Sequence, residues 1–222
     1  MGEGGQTEDL RLRVTSAARD QLQRSSELDF LGTMPIEDQI DHALGFASTF
    51  EQGFGSSPAS VVDLGTGGGL PGLVLIACWP DASFVLIDAN QRRTDFLVEE
   101  IERSGQGERI SVVRARAEEA GRADDLRERA DLVVARSFGA PGTTAECASP
   151  LLAVGGRAVI SEPPGGQDPG RWVPEGLAQL GLEASSRHRY LDRFGYQVLV
   201  KVEACDERYP RRVGIPAKRP LF

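Results

Sequence analysis

The chain has 222 residues, of which 40% are hydrophobic and 26% are charged, and its formal net charge is −8 at pH 7. This composition indicates a globular protein with one sizeable domain, and the acidic total argues against nonspecific attraction to nucleic acid. No apolar run approaches the roughly 20 residues needed to span a bilayer, and the acidic N-terminus does not have the pattern of a secretory signal, so we expect a cytoplasmic protein without a membrane partner.

Cysteines and histidines are few and scattered. Cys78, Cys147 and Cys205 form no C-x-x-C pair, and this spacing predicts reduced residues, not a disulfide, zinc ligands or nucleophiles. His42 and His188 lie in unrelated regions. We therefore predict neither a metal site nor a His-based catalytic triad.

The N-terminal part of the chain is expected to be helical after a short polar start. Residues 1–7 are predicted to form a disordered tail. Apolar spacing predicts helices over Asp9 to Phe30 and Ile36 to Phe50. These would form an N-terminal helical cap over residues 8–57, followed by a main domain over 58–207 and a basic tail over 208–222.

A glycine cluster follows the first β-branched run, because residues 61–72 read VVDLGTGGGLPG. The pattern predicts a strand, a tight loop and a helix that opens at Pro71, since glycine tolerates positive φ and lets the backbone approach a ligand. The acid and three glycines form D-x-G-x-G-x-G, a pattern seen in class I S-adenosylmethionine (SAM) methyltransferases: Asp63, Gly65, Gly67 and Gly69.

A second cofactor also fits this loop. Gly67, Gly69 and Gly72 spell the dinucleotide pattern G-x-G-x-x-G, which alone is weak evidence. Asp63 favours SAM, because its carboxylate can organise the loop near a methionine ammonium group but would repel a pyrophosphate. The loop by itself leaves both cofactors open.

Strands and helices alternate through the rest of the chain. Further strands are predicted at Ser83 to Asp88, Arg109 to Val113, Ala130 to Ala135, Gly156 to Ser161, Leu182 to Tyr190 and Tyr196 to Val202. Helices are predicted at Gln91 to Ser104, Asp124 to Glu128, Pro141 to Ala153 and Trp172 to Leu180. The fold class is therefore α/β: a Rossmann-like, mostly parallel sheet with helices on both faces and an antiparallel C-terminal hairpin, as in class I SAM methyltransferases.

Polar residues at the strand ends complete the predicted site. Asp88 ends the second strand, where a carboxylate can accept both ribose hydroxyls of a nucleoside. The loop after the third strand places Ala117 and Glu118 where an adenine would lie. Arg136 follows the fourth strand, in the position of a substrate-facing residue.

Several segments together resemble the RsmG (GidB) family, which methylates N7 of a guanine in bacterial 16S ribosomal RNA. They are GGGLPG at 67–72, RAE at 116–118, ARSF at 135–138, PLL with GGR at 150–157, and YPRRVGIPAKRPL at 209–221. The match runs from about Val61 to the C-terminus, and the chain is a divergent member by this comparison.

The resemblance implies a set of functional residues. Cofactor contacts would come from Gly65, Leu70, Ala117, Glu118 and Arg136. Arg116 and Arg136 would also face the RNA, and four residues of the tail would meet phosphates: Arg211, Arg212, Lys218 and Arg219. The enzyme would use SAM as its cofactor and the small ribosomal subunit as its partner, and we expect it to act as a monomer.

Two departures from the family leave other functions open. The stretch from Glu27 to Gly32 lacks the family's Asn-Leu-Thr segment, and Glu162 replaces a lysine after the fifth strand, a charge reversal expected to weaken phosphate attraction. The alternatives are a methyltransferase of a small molecule and a SAM- or RNA-binding protein without turnover. A dinucleotide oxidoreductase is disfavoured, because the tail and the Arg-Ala-Glu loop would have no role in it.

Overall fold

The computed structural model describes residues 3–163 and 169–222. The strands are β1 (Ser60–Leu64), β2 (Ser83–Asp88), β3 (Ile110–Arg114), β4 (Ala130–Ala135), β5 (Leu152–Glu162), β6 (Leu182–Tyr190) and β7 (Phe194–Lys201). The α-helices are α1 (Glu3–Arg13), α2 (Ser16–Glu27), α3 (Ile36–Phe54), α4 (Gly72–Cys78), α5 (Gln91–Ser104), α6 (Ala117–Ala120), α7 (Pro141–Ala148), α8 (Pro174–Ala178) and α9 (Ile215–Lys218).

The strands form one sheet in the order β3-β2-β1-β4-β5-β7-β6. The five strands from β1 to β5 pair in parallel, whereas β7 is antiparallel to both β5 and β6. The predicted fold class is therefore confirmed. The order reverses between β1 and β4, and open α/β sheets bind ligands at such a switch point.

Buried side chains cover both faces of the sheet. Neighbouring residues of one strand enter different hydrophobic clusters, as Val61 and Val62 do, because side chains alternate along a strand. One cluster includes Phe46 of α3 and Leu97 of α5, and the other includes Leu151 and Leu177. Helices thus lie on both faces, as predicted.

The N-terminal segment differs from expectation in two ways. Helix α1 begins at Glu3, where the sequence predicts a disordered tail through residue 7, and its continuation buries Leu10 and Val14. The predicted helix from Asp9 to Phe30 is interrupted at Thr15, which is extended and accepts a hydrogen bond from the Ala18 amide at 3.2 Å. This N-cap starts α2 in a new direction.

Two short elements also differ from the predictions. The stretch from Asp124 to Glu128 forms turns, not a helix, and the nearby helix α6 precedes it. Arg127 of that stretch donates to the carbonyl oxygens of Gly121 and Tyr209, both at 2.9 Å, so long-range contacts fix its path. Helix α7 ends at Ala148, before a 3₁₀ turn that contains Pro150.

Within the described ranges, no helix is long and apolar enough to cross a membrane.

Candidate active site

The glycine loop between β1 and α4 lies against the end of β2. Gly65 and Gly67 have φ values of +74° and +58°, which residues with a side chain rarely adopt. The Gly67 amide donates to Oδ2 of Asp88 at 2.9 Å, and the Asn90 amide donates to Oδ1 of the same carboxylate at 2.7 Å. The structure therefore joins the loop and Asp88, which lie 21 residues apart.

Asp63 organises the loop from within. Its side chain is fully buried, and Oδ2 accepts a hydrogen bond from the Gly72 amide at 2.8 Å, at the start of α4. Burial raises the pKa of Asp63 to about 6, although the Thr66 hydroxyl, the Gly72 amide and the charge of Arg136 oppose the shift.

A cavity of about 350 Å³, which we call the first cavity, opens beside this loop. It brings together predicted site residues from three separate parts of the sequence: Gly65, Asp88 and the run from Arg116 to Glu118. Its walls include Gly65, Asp88, Arg116, Ala117, Glu118, Ser137, Phe138, Thr143, Cys147 and Ala217.

The residues of the first cavity fit the nucleoside part of SAM. A Cβ on Gly65 would lie 2.6 Å from Cδ2 of Phe138, so only glycine leaves the loop this close to the ring. Asp88 retains acceptor lone pairs for ribose hydroxyls beyond the two amides that it binds. Ala117 and Phe138 supply apolar surface for a base. The cavity volume also lies in the range of small-ligand sites.

Five predicted cofactor residues do not line the first cavity: Asp63, Gly67, Gly69, Leu70 and Arg136. Leu70 and Gly69 have packing roles instead. The side chain of Leu70 is 3% exposed and belongs to a hydrophobic core cluster. A Cβ on Gly69 would lie 2.5 Å from Leu73, so this glycine permits close packing of the loop on α4. Leu70 and Gly69 therefore stabilise the glycine loop by packing and do not line the first cavity.

A larger second cavity, of about 780 Å³, adjoins the first. Ser137 and Phe138 line both cavities. Ser137 has a φ of +54°, a strained conformation that tertiary contacts must hold and that is frequent at functional sites. The turn after β4 thus separates the two cavities, and a ligand in the first cavity would lie next to a ligand in the second cavity at this turn.

Arg136 lies on the side of the second cavity. Its Nη2 donates to Oε1 of Gln39 at 3.2 Å, so the cap helix α3 holds the arginine. Burial lowers the pKa of Arg136 from its ordinary value, whereas the nearby Asp63 opposes that shift. The structure therefore places Arg136 between Asp63 and the second cavity.

His42 of α3 also lines the second cavity. Its ring stacks on Phe194 with 4.6 Å between centroids. Burial lowers the pKa of His42 to about 4, and the charges of Arg136 and Arg193 add to the effect. His42 is therefore neutral at pH 7.

The charge reversal at Glu162 does not leave an uncompensated acid in this cavity. Glu162 Oε2 accepts from Nη1 of Arg171 at 2.6 Å, and its Oε1 accepts from Nε1 of Trp172 at 2.7 Å. Its side chain is only 6% exposed. Glu162 is thus paired with a cation nine residues downstream, a contact that the sequence pattern did not reveal. Pro164, which follows in the predicted loop, lies outside the described residues.

The C-terminal tail forms part of the wall of the first cavity. Oε1 of Glu118 accepts a hydrogen bond from the Gly214 amide at 2.8 Å, and Thr143 Oγ1 donates to the Pro216 carbonyl at 2.9 Å. Ala217, within α9, lines the cavity. The sequence did not indicate these contacts, although a proline such as Pro216 is common in the first turn of a helix.

The tail cations divide into two groups. Arg211 donates from Nε and Nη2 to the fully buried carboxylate of Glu146, and from Nη2 to the Arg219 carbonyl at 2.7 Å. This packing does not fit the prediction that Arg211 meets phosphate. Arg212, Lys218 and Arg219 are exposed, as is Arg116 at the rim of the first cavity.

We next consider whether a cysteine nucleophile or a metal ion could act at this site. Cys147 lines the first cavity, which the sequence did not predict, but burial raises its pKa so strongly that the thiol stays protonated. Over residues 3–163 and 169–222, His, Cys, Asp and Glu side chains form no group of three that could hold a metal ion.

The sequence is similar to a family model and to several known proteins. A family model described as rRNA small subunit methyltransferase G (GidB) matches residues 36–162. Ribosomal RNA small subunit methyltransferase G of Thermotoga neapolitana is 34% identical over 167 residues, which cover 73% of this chain and 72% of that protein. The protein of the same name from Prochlorococcus marinus is 31% identical over 165 residues, which cover 72% of this chain and 66% of that protein.

A solved structure shares the fold. The TehB-like SAM-dependent methyltransferase from Corynebacterium glutamicum aligns with a TM-score of 0.53 and 17% identity, over 83% of this chain and 97% of that one. This likeness supports the sheet topology described above.

Proposed function

Because the chain belongs to the rRNA small subunit methyltransferase G family, we propose that it transfers a methyl group from SAM to N7 of a guanine in bacterial 16S rRNA. The enzyme is a SAM-dependent methyltransferase. The observation that supports the transfer geometry is the shared wall of the two cavities at Ser137 and Phe138.

The first cavity would hold the cofactor. Asp88 would accept the ribose hydroxyls, Ala117 and Phe138 would enclose the adenine, and the Gly65 to Gly67 backbone would lie along the amino-acid part. SAM supplies an electrophilic methyl group attached to a sulfonium. In methyl transfer, the protein would hold the glycine loop and Phe138 at fixed positions and so align the methyl group with its acceptor. Aligned reactants react far faster than freely diffusing ones.

The second cavity would receive the guanine. N7 of guanine carries an available lone pair, so the residues around it need not remove a proton. His42 is a weak base, because burial lowers its pKa to about 4, and this agrees with a reaction that needs no base. Methylation makes the ring cationic, and an arginine aimed at N7 would oppose the product. We therefore assign Arg136 to the guanine O6 or to phosphate, where bidentate donation is favourable.

Exposed cations would contact the RNA outside the cavities. Arg116, Arg212, Lys218 and Arg219 are exposed, and the last three lie on the tail that borders the first cavity. Phosphate contacts by such residues release counterions and add affinity without base specificity. We propose that the enzyme works as a monomer in the cytoplasm on the small ribosomal subunit.

The direct test is methyl transfer in vitro from labelled SAM to 16S rRNA and to 30S subunits that lack the modification, followed by mapping of N7-methylguanine. We expect one labelled guanine in the 16S rRNA. An Asp88→Ala variant should lose cofactor affinity and transfer together, whereas Asp95→Ala, an exposed acid on α5, should behave like the unmodified enzyme. Failure to label either substrate would contradict the proposed acceptor.

A small-molecule acceptor is suggested by three features: the acidic Glu162, the missing N-terminal family motif and the net charge of −8. The pairing of Glu162 with Arg171 removes the first of these reasons, because the second cavity keeps cationic side chains at its rim. Labelling of a small molecule in a cell extract, without labelling of RNA, would restore this alternative.

A further inference from the structure

The side chains around the second cavity carry an excess of positive charge. Among the residues that the structure describes, its charged side chains are those of Arg136, Arg171, Arg193 and Glu162. Two of the arginines have partners from the cap: Arg136 donates to Gln39, and Arg193 forms a two-bond ion pair with Asp38. Arg171 instead depends on Glu162, which lies in the same wall.

Glu162 holds the side chains of Arg171 and Trp172 in place. Its carboxylate is almost fully buried, and each oxygen accepts one hydrogen bond, from Arg171 and from Trp172. Trp172 is itself 3% exposed and belongs to the hydrophobic core. Burial and these two hydrogen bonds hold the Glu162 carboxylate in place, and the carboxylate in turn orients the Arg171 guanidinium.

The Arg171 guanidinium remains available for a ligand. Its side chain is 28% exposed. The ion pair uses Nη1, and a guanidinium carries five N–H donors, so the contact with Glu162 does not exhaust its donors. A planar group of this kind suits the bidentate recognition of phosphate.

The sheet order decides which part of the substrate Arg171 can meet. The first cavity lies over the ends of β1, β2 and β3, and Arg136 follows β4, next to the shared wall. Glu162 ends β5, the strand beyond β4. Arg171 is therefore one strand further from the cofactor than Arg136, and a ligand atom that it binds lies away from the reacting methyl group.

We propose that Arg171, held by Glu162, is a positioning residue that binds a backbone phosphate of the RNA beside the nucleotide to be methylated. The inference rests on the proposed function, because it assumes that the second cavity receives a nucleotide of an RNA chain. It assigns Glu162 the role of orienting a cation, not of repelling the substrate.

Kinetics of the full-length enzyme on unmodified 30S subunits test the role of Arg171. In Arg171→Ala, the KM for the RNA substrate should rise about tenfold, while kcat and the KM for SAM change less than about twofold, because uniform binding is lost and the chemical step is not. Arg171→Lys should recover part of the KM, since lysine keeps the charge but not the fork of donors. Arg103→Ala removes an arginine that pairs with the buried Glu100 on α5, outside both cavities, and should leave the RNA KM unchanged.

Glu162→Gln separates orientation from net charge. This variant makes the cavity more positive, so a simple charge effect would lower the KM for RNA. If Glu162 orients Arg171, the KM should rise about threefold or more, because the guanidinium loses its charged partner. A lower KM in Glu162→Gln would overturn the inference, as would an unchanged KM in Arg171→Ala.

Folding and turnover are controlled separately. The double variant Arg171→Ala with Glu162→Gln leaves no unpaired buried carboxylate, and it should fold while keeping the raised KM. RNA affinity measured against salt needs no turnover: the slope of log affinity on log salt should fall by about 0.7 in Arg171→Ala. If the unmodified enzyme binds RNA but transfers no methyl group, the proposed function fails and this slope still decides the role of Arg171; an unchanged slope overturns it.

Discussion

The Gly214 amide donates to Oε1 of Glu118 across 2.8 Å, although 96 residues separate the two in the chain. This bond ties the C-terminal tail to the loop after β3, at the wall of the first cavity. The tail is therefore part of the wall of the proposed cofactor site, and it also carries exposed cations.

Truncation of Glu118 should loosen the tail and weaken cofactor binding together. We expect Glu118→Ala to lower SAM affinity about tenfold, because a buried donor loses its acceptor. Glu118→Gln, which keeps an acceptor oxygen, should change affinity less than about threefold. Calorimetric titration measures the affinity, and hydrogen exchange over residues 208–222 reports the tail. Glu175→Ala, an exposed acid on α8, is the control; equal SAM affinity in Glu118→Ala and the unmodified enzyme would contradict the prediction.

Gly65 and Gly55 form a matched pair for testing the cofactor loop. Both have positive φ, +74° and +67°, so alanine strains the backbone at each position. A Cβ on Gly65 would also lie 2.6 Å from the Phe138 ring, whereas a Cβ on Gly55 would meet no atom within 4 Å. We expect Gly55→Ala to cost about 1 kcal/mol of stability with normal activity. Gly65→Ala should additionally lose SAM binding and transfer, and equal activities in the two variants would refute the role of the Gly65 contact.

Arg211 and its neighbour Arg212 should have different effects on stability. Arg211→Ala leaves the fully buried carboxylate of Glu146 without its cation, and it should reduce the free energy of unfolding by about 3 to 5 kcal/mol. Arg212 is exposed, and Arg212→Ala should stay within about 0.5 kcal/mol. Urea denaturation measures both. Adding Glu146→Ala to Arg211→Ala should restore part of the loss, and additive losses would argue against the pairing.

Two buried groups of the site should give opposite pH dependences of stability. The pKa of Asp63 is raised to about 6, so the native state retains a proton that the unfolded state releases. Protonated Asp63 therefore stabilises the native state at low pH, and this stabilisation is lost as pH rises from about 4 to about 6. The pKa of His42 is lowered to about 4, so its contribution is present above about 6.5 and is lost as pH falls toward 4. The two effects oppose each other in the same pH window.

Single variants should expose each of these effects. In Asp63→Asn only His42 remains, and stability should rise more steeply with pH between 4 and 6.5 than in the unmodified protein. In His42→Phe the slope should change in the opposite direction. Denaturant midpoints measured across this pH range check both signs, and parallel curves for all three proteins would show that neither group titrates as described.

Local patterns in the sequence were sufficient for the sheet and for the parts of the site that lie within single motifs. The bounds of β2, β4, β6 and α5 match the predictions, because β-branched runs, helical spacing and the Gly105 stop signal act over a few residues. The sequence also predicted that Gly65, Asp88, Ala117 and Glu118 lie close together, and the structure places all four around the first cavity, since parallel strands bring their carboxyl ends to one edge.

Only the tertiary structure decided what the charged residues do. Arg211 belongs to a basic run in the sequence, yet it pairs with Glu146, 65 residues away. Glu162, which reverses the charge expected from the family pattern, is paired with Arg171. Arg136 donates a hydrogen bond to Gln39 of the N-terminal cap, which lies 97 residues away in the sequence. Hydrophobic periodicity is a property of neighbouring positions, whereas the role of a charge depends on its partner and its burial. These are fixed only when distant segments pack together.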